Sequence, residues 1–178
     1  MRLEVQGHPP ALLVLGYLEP GPQGEVSVWY SGNQEVLRIQ NGRVVGVTGT
    51  AADWQRTRFK PIPPDWTNVT EQCVDYVRER DELQGYRFGH TEQVHLVQWQ
   101  GLPPIDLPST LPLPKAAEYR WFRESVIFAS GAGGPTMPDA WFAWGRHRGA
   151  ETIVYSEQCI APDFCLKLQP WPLLEEAK

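Results

Sequence analysis

The sequence predicts an all-β, single-domain protein spanning residues 1–178, an antiparallel β-sandwich or β-barrel with hairpins and long proline-rich connectors. Three observations support this class: stretches of alternating apolar and polar residues, two hairpin signatures, and 17 prolines among 178 residues. Proline lacks a backbone N–H and breaks helices, so few helical proteins tolerate so many. We therefore expect helices to hold less than about 15% of the residues.

The first predicted strands lie before residue 31. Ala11–Leu15 is a short apolar run that ends at Gly16, and the turn-rich stretch EPGPQG leads into a strand at Val26–Tyr30. Apolar runs bounded by glycine and proline are typical of strands that end in turns. These elements therefore predict the beginning of a sheet.

A hairpin turn is predicted at Asn41 and Gly42, because a two-residue type I′ turn needs positive φ at both positions. This turn fixes the register and pairs Gln40 with Arg43, Ile39 with Val44, and Arg38 with Val45. The register places Leu37, Ile39 and Val44 on one face, and Val36, Val45 and Val47 on the other. Both faces are partly apolar, which indicates a strand pair inside a sandwich or barrel.

The middle of the chain contains one candidate helix and two candidate strands. Ala51–Arg58 has a composition that predicts one or two helical turns. Val69–Leu83 has apolar residues at helical spacing but also alternates as a strand does, and we assign it as a strand because its neighbours are strands; Gly85–Gln100 alternates as strands do. The proline-rich stretch Gly101–Pro114 predicts an extended connector inside one domain. A domain boundary near 101–114 is the alternative.

The last third of the chain predicts further strands. Glu118–Ser130 is a candidate strand, Gly131–Pro138 a loop, and Ala140–Ser156 a second hairpin that turns at Arg148–Ala150. This hairpin repeats the pattern of the first, which favours a sheet built from consecutive strands.

The net charge of -5 and the pI near 5.4 argue against a nucleic-acid partner or an anionic membrane surface, because the basic residues are dispersed. No apolar run reaches the length of about 20 residues that a membrane helix needs. The N-terminal stretch lacks the features of a signal peptide. We therefore expect either a cytosolic protein or the mature part of an exported one.

Aromatic and acidic residues provide the candidate sites. Trp29, Tyr30, Trp141 and Trp144 occur in clusters that could stack on sugar rings or fill a β core. Asp75, Asp81 and Glu82 are the candidate catalytic carboxylates. The four histidines show no metal-ligand spacing with the cysteines, so we expect no metal and no cofactor. Cys159 and Cys165 indicate a disulfide or buried thiols, because no histidine base is close in sequence.

Short motifs at both ends of the chain carry a family resemblance. The stretch Leu12–Trp54 contains an apolar LVLG, a W-Y-S strand and an NGRVV hairpin, and Val154–Trp171 contains S-x-Q, a proline and a closing L-K-x-x-P. With these motifs the chain resembles the YjbF/GfcB family of bacterial exopolysaccharide and group 4 capsule lipoproteins. Asp139 stands where that family usually has asparagine, and Tyr155 where it has tryptophan.

The resemblance implies an outer-membrane-anchored lipoprotein in the periplasm, attached to the membrane only through an N-terminal lipid that this sequence does not include. It also implies a role in making or exporting extracellular polysaccharide, with the exopolysaccharide or operon-encoded envelope proteins as partners. Export in turn implies one intramolecular disulfide, between Cys159 and Cys165. The family offers no accepted catalytic residues to transfer.

Two kinds of function remain open at this point. The first is a non-catalytic module that binds glycan or docks a protein, with Trp29, Tyr30, Trp141 and Trp144 as its binding residues. The alternative is a polysaccharide-modifying enzyme that uses Asp75, Asp81 or Glu82. An enzyme of that kind needs two carboxyl groups about 5 to 9.5 Å apart on either side of the scissile bond.

Overall fold

The structure, a computed structural model, describes residues 1–21, 23–83, 85–129 and 137–172. Over these ranges an antiparallel sheet of 13 strands curls into a nearly closed barrel-like shape, with only a 3₁₀ turn at Trp66–Asn68 and a short helix at Leu113–Ala116. The all-β prediction is therefore confirmed. The strands are β1 (Arg2–Val5), β2 (Ala11–Leu12), β3 (Val14–Gly21), β4 (Gly24–Tyr30), β5 (Val36–Gln40), β6 (Arg43–Thr48), β7 (Trp54–Lys60), β8 (Val74–Glu82), β9 (Arg87–Trp99), β10 (Arg120–Ala129), β11 (Ala140–His147), β12 (Ala150–Ala161) and β13 (Phe164–Gln169).

The two edges of the sheet meet in one continuous stretch of chain. From β3 to β13, each strand pairs with the next strand in the chain. β1 pairs with β13, and β2 pairs with the other side of β1. Leu13 alone separates β2 from β3, the outer strands of this order, and its N–H donates to the carbonyl of Met1 at 2.7 Å. Residues 11–18, which we name the closing segment, therefore connect both edges.

The first hairpin turns where the sequence predicts. Asn41 and Gly42 have φ angles of 48° and 77°, as a type I′ turn requires. The first two predicted pairs are confirmed, Gln40 with Arg43 and Ile39 with Val44.

Beyond these pairs the predicted register is wrong, because a β-bulge inserts an extra residue into β6. Arg38 faces Gly46 instead of Val45. Val47 consequently faces Leu37 and packs in the same apolar cluster, not on the opposite face. A bulge shifts the alternation of side chains by one residue, and nothing in the local sequence announces it.

The second hairpin joins β11 to β12 through Arg148 and Gly149, whose φ angles are 51° and 83°. His147 and Ala150 face each other across this turn. The predicted position of the turn is confirmed. The predicted loop Gly131–Pro138 falls largely outside the described residues.

The predicted helical turns at Ala51–Arg58 are wrong, because Trp54–Lys60 forms β7. This strand pairs with β8, and Arg58 faces Glu79 there and forms an ion pair with it. Trp54 is 2% exposed and donates from Nε1 to the carbonyl of Ile160 at 3.0 Å. Tertiary pairing and burial of the tryptophan therefore override the weak helical preference of the segment.

The proline-rich connector covers one face of the sheet. It leaves β9, contains the short helix, and returns as β10, and these two strands pair with each other. Leu111 and Ala116 pack against Trp121 and Tyr155, and Trp121 donates from Nε1 to the carbonyl of Ala116 at 2.9 Å. The connector thus buries apolar side chains that would otherwise face solvent.

The two halves of the curled sheet face each other across a mixed core. One cluster joins Leu37, Val44 and Val47 to Leu166 and Leu168. A second surrounds Trp66, which packs on Phe122 and Phe142 with ring centroids 5.2 and 4.8 Å away. Gln158 crosses between the halves, since it accepts from the N–H of Val44 and donates to the carbonyl of Gly42, both at 2.9 Å.

Candidate functional site

The four aromatic residues predicted to bind do not come together. Trp29 and Tyr30 lie on β4 and Trp141 and Trp144 on β11, and these strands are not neighbours in the sheet. Trp141 is 4% exposed and meets Trp99 edge to face, with 5.1 Å between ring centroids. Trp29 and Trp144 are half-buried, and Tyr30 is 39% exposed. Of the four, Tyr30 offers the most open ring.

The three candidate carboxylates also lie apart. Asp75 and Asp81 stand near opposite ends of β8, six residues or about 20 Å along the strand. Asp81 and Glu82 are adjacent in the strand and therefore point to opposite faces. Glu82 is buried and accepts from Arg80 at 2.8 Å and from Arg87 at 2.5 Å. These positions do not supply the pair of facing carboxyl groups that glycoside hydrolysis needs.

A network of buried charges occupies the core near β8 and β9. Glu92 is fully buried between Arg78 and Arg80, at 2.6 and 2.5 Å, and the Arg80 guanidinium lies 4.2 Å from the ring centroid of Trp54. Burial disfavours the charged form of Glu92, but the two arginines together outweigh it and lower the pKa of the carboxyl group. Because Glu82 also pairs with Arg80, two carboxylates balance the two guanidinium groups, which is the arrangement of structural ion pairs.

Exposed apolar side chains concentrate along the closing segment and its neighbour β4. Leu12, Val14 and Leu18 are 54%, 68% and 53% exposed, and β3 ends the strand order, with β4 as its partner along most of its length. We name this set of exposed side chains the apolar edge. It comprises Leu12, Val14, Leu15, Tyr17, Leu18 and Tyr30.

Gly16 shapes the middle of the apolar edge. A Cβ atom at Gly16 would lie 2.4 Å from Cε2 of Tyr30, so only glycine lets the Tyr30 ring lie over the strand. Tyr17 and Tyr30 are close, with ring centroids 6.5 Å apart at an angle of 48°. The edge is therefore a shaped surface with two neighbouring rings.

A cavity of about 310 Å³ lies beside the closing segment. Its walls are largely apolar, and Ala11 and Leu13 of the closing segment contribute to them. The other apolar walls come from both halves of the sheet and include Leu3, Val5, Leu37, Val47, Phe164 and Leu166. The cavity and the apolar edge share the same stretch of chain.

A cysteine, an aspartate and a histidine meet on the outer face of β8 and β9. Asp75 faces His95 in the β8–β9 register, and Cys73 comes two residues before Asp75. Sγ of Cys73 lies 2.8 Å from Nδ1 of His95, which in turn lies 2.6 Å from Oδ1 of Asp75. The sulfur to carboxylate distance is 3.4 Å. Burial and the adjacent Asp75 carboxyl group raise the pKa of the Cys73 thiol.

Sequence reasoning missed this group because it sought a histidine near a cysteine along the chain. Cys73 and His95 are 22 residues apart, and only the pairing of β8 with β9 brings them together. The usable signal was the alternation of the two strands, since outward positions of adjacent strands become neighbours once the register is known.

No protein-family model matches the chain, and no curated protein sequence matches it. Among solved structures, the chain is similar to the hypothetical lipoprotein YmcC from Escherichia coli (K12), with a TM-score of 0.64 and 17% sequence identity. The similarity covers 97% of this chain and 84% of that one. The two chains therefore share a fold. In the described part of this chain, no helix has the length and apolar character needed to cross a membrane.

Proposed function

We propose that this chain is a non-catalytic, envelope-attached component of exopolysaccharide or capsule production that docks a partner protein. The observation that carries the proposal is the apolar edge, where Val14 is 68% exposed and Leu18 is 53% exposed on the outermost strand β3. Soluble proteins rarely leave a long apolar edge strand uncovered, since such an edge pairs readily with other chains.

The expected partner is an extended apolar segment of another protein. Residues 11–18 carry no charge, and β3 exposes side chains on both of its faces. An added strand would gain backbone hydrogen bonds along the free edge and apolar contacts on both faces, as in other cases of strand addition. The cavity of about 310 Å³ beside this segment has room for an apolar side chain of the partner.

The chemistry of the apolar edge favours a protein over a glycan. Leu12, Val14 and Leu18 provide no hydrogen-bonding groups for sugar hydroxyls. Trp141, one of the four residues predicted to bind glycan, is 4% exposed and offers no open ring for a sugar. Tyr17 and Tyr30 instead supply the tyrosine rings in which protein interfaces and their hot spots are enriched, and the aliphatic side chains around them form an apolar surface.

Three observations support the envelope and polysaccharide parts of the proposal. The motifs in Leu12–Trp54 and Val154–Trp171 resemble those of the YjbF/GfcB lipoproteins. A solved structure with the same fold is described as a hypothetical lipoprotein. A disulfide joins Cys159 to Cys165, and disulfides persist in oxidising compartments such as the bacterial periplasm.

The test changes the apolar edge and measures polysaccharide export in the source bacterium. The double variant Val14→Asp/Leu18→Asp should abolish export while the protein still accumulates, because two carboxylates would be buried in the interface. Ile62→Asp is the matched control, since Ile62 is 60% exposed but lies outside the apolar edge. A photo-reactive residue at position 17 should form a cross-link to one envelope protein, and that cross-link should be lost in the double variant.

Other outcomes would overturn the proposal. A concentration-dependent dimer that the double variant abolishes would identify a second copy of the chain as the occupant. If the purified protein binds the exopolysaccharide directly and the double variant abolishes this binding, the partner is a glycan and not a protein. Turnover of the polysaccharide by the purified protein, lost in Asp81→Asn, would make the chain an enzyme.

A further inference from the structure

The group consists of Cys73, which directly precedes β8, Asp75 on β8 and His95 on β9, and β8 lies four strands away from β4 in the strand order. The proposed docking function does not use it. The three side chains approach one another with separations of 2.6 to 3.4 Å between their sulfur, oxygen and nitrogen atoms. Such convergence of a thiol, a carboxylate and an imidazole requires an explanation of its own.

The contacts crowd a single atom, Nδ1 of His95. Both Sγ of Cys73 and Oδ1 of Asp75 approach this nitrogen, at 2.8 and 2.6 Å. An imidazole nitrogen has one in-plane direction, which holds either a proton or a lone pair, so hydrogen bonding satisfies one of the two neighbours well. A cation placed between the three atoms would satisfy all of them at once.

The same geometry argues against a nucleophilic cysteine. A histidine that relays protons contacts the nucleophile through one ring nitrogen and the orienting carboxylate through the other. Here Cys73 and Asp75 share Nδ1 of His95. The group therefore has the arrangement of a ligand set and lacks that of a catalytic triad.

We propose that Cys73, Asp75 and His95 form a surface site for a thiophilic divalent cation, with zinc as the fitting ion. Thiolate sulfur, imidazole nitrogen and carboxylate oxygen are the three ligand types that Zn²⁺ takes in proteins. A thiolate ligand disfavours Mg²⁺ and Ca²⁺, which prefer oxygen. The thiol of Cys73 releases its proton to water as the zinc–sulfur bond forms.

The site can reach tetrahedral geometry by small rotations. Zinc–ligand bonds of about 2.0 to 2.3 Å place neighbouring ligand atoms about 3.3 to 3.6 Å apart. The present separations are at most about 1 Å shorter, and the side chains of Asp75 and His95 are 52% and 32% exposed, so they have room to move. Three protein ligands leave the fourth position open to water or to a side chain of another protein.

The positive charge of Arg123 should lower the affinity of this site for a cation. Arg123 lies close enough to interact electrostatically with Cys73, and it also forms an ion pair of 3.7 Å with Asp139. The Cys73 thiolate and the Asp75 carboxylate together neutralise the charge of a divalent cation. The Arg123 guanidinium is not a ligand, so it weakens binding only by repelling the cation from a distance. Arg123→Gln should consequently strengthen zinc binding, whereas loss of a ligand should abolish it.

The test uses the full chain, reduced and treated with a chelator, and titrates it with Co²⁺ and then Zn²⁺. The wild-type protein should bind about one equivalent of Co²⁺ per chain with a thiolate-to-cobalt absorption in the near ultraviolet, which Zn²⁺ should remove. Cys73→Ser and His95→Gln should lose this absorption while keeping the far-ultraviolet circular dichroism of the wild type. His90→Gln, on the same strand β9, is the matched control and should bind as the wild type does.

Zinc should also raise the unfolding temperature of the wild-type protein and of His90→Gln but not that of Cys73→Ser, because a ligand that binds the folded state stabilises it. Absence of the cobalt–thiolate absorption in the wild type would overturn the proposal. Undiminished zinc binding in both Cys73→Ser and His95→Gln would overturn it as well.

Discussion

Arg43 and Glu124, which are 81 positions apart in the sequence, form a buried ion pair with 2.7 Å between Nε and Oε1. The Arg43 guanidinium also lies 4.0 Å from the ring centroid of Trp66, whose Nε1 donates to the carbonyl of Asn41 at 2.9 Å. The pair connects β6 with β10, strands that do not pair in the sheet. It therefore ties one half of the barrel-like sheet to the other.

We expect Glu124→Gln to lower the free energy of unfolding by about 3 to 5 kcal/mol, because it leaves the Arg43 charge buried without its partner. Urea denaturation at pH 7 measures this change. Glu118→Gln is the control, since the Lys115–Glu118 pair is exposed and should contribute at most about 1 kcal/mol. The double variant Arg43→Met/Glu124→Leu should return close to wild-type stability. If the double variant loses as much free energy of unfolding as Glu124→Gln does, this account is contradicted.

Acid should weaken the fold through Glu92. Because the pKa of Glu92 is lowered in the folded protein, its charge stabilises the fold above the ordinary glutamate pKa of about 4.3 and loses that effect as the pH falls below it. Glu92→Gln should therefore be less stable at pH 7 and should lose less stability between pH 5 and pH 3. Denaturation series at several pH values measure both. Glu151→Gln, at an exposed position, should keep the wild-type slope.

A comparison of the two hairpin turns distinguishes the energetic cost of a positive φ angle from the cost of a steric clash. Gly42 and Gly149 both have positive φ, but a Cβ at Gly42 would lie 2.4 Å from Cγ1 of Ile153, whereas a Cβ at Gly149 meets nothing within 4 Å. Gly149→Ala should cost about 1 to 2 kcal/mol from the left-handed conformation alone. Gly42→Ala should cost about 1 to 3 kcal/mol more, because Ile153 must move. Equal losses of stability in thermal or urea denaturation would contradict a clash between the new Cβ and Ile153.

The disulfide between Cys159 and Cys165 should stabilise the chain modestly, since these residues are only 6 apart. In the chain-entropy model a loop of that size contributes about 2 kcal/mol. Cys159→Ser/Cys165→Ser should therefore unfold earlier in urea but still fold. Cys73→Ser is the control for loss of a thiol. Thiol titration of the unreduced, denatured wild-type protein should detect Cys73 alone, and detection of all three thiols would refute the bridge.

Local chemistry was sufficient for the parts of the fold that depend on neighbouring residues. Asn41-Gly42 and Arg148-Gly149 sit at turns that need positive φ, and alternation identified the strands on either side. Local chemistry failed at Ala51–Arg58, where the composition predicts helical turns, whereas Trp54–Lys60 forms β7 and pairs with β8. The predicted alternation was also wrong at Val47, because a β-bulge moves this side chain to the face opposite the predicted one.

The sequence by itself determined the all-β class, the positions of the two hairpin turns and most of the strand-forming segments, because these follow from backbone preferences over a few residues. Only the tertiary structure decided that Arg43 meets Glu124, that Cys73 meets His95, and that the closing segment joins both edges of the sheet. These contacts depend on the register and curl of the entire sheet. Each register is set by many pairs at once, so no short stretch of sequence contains it.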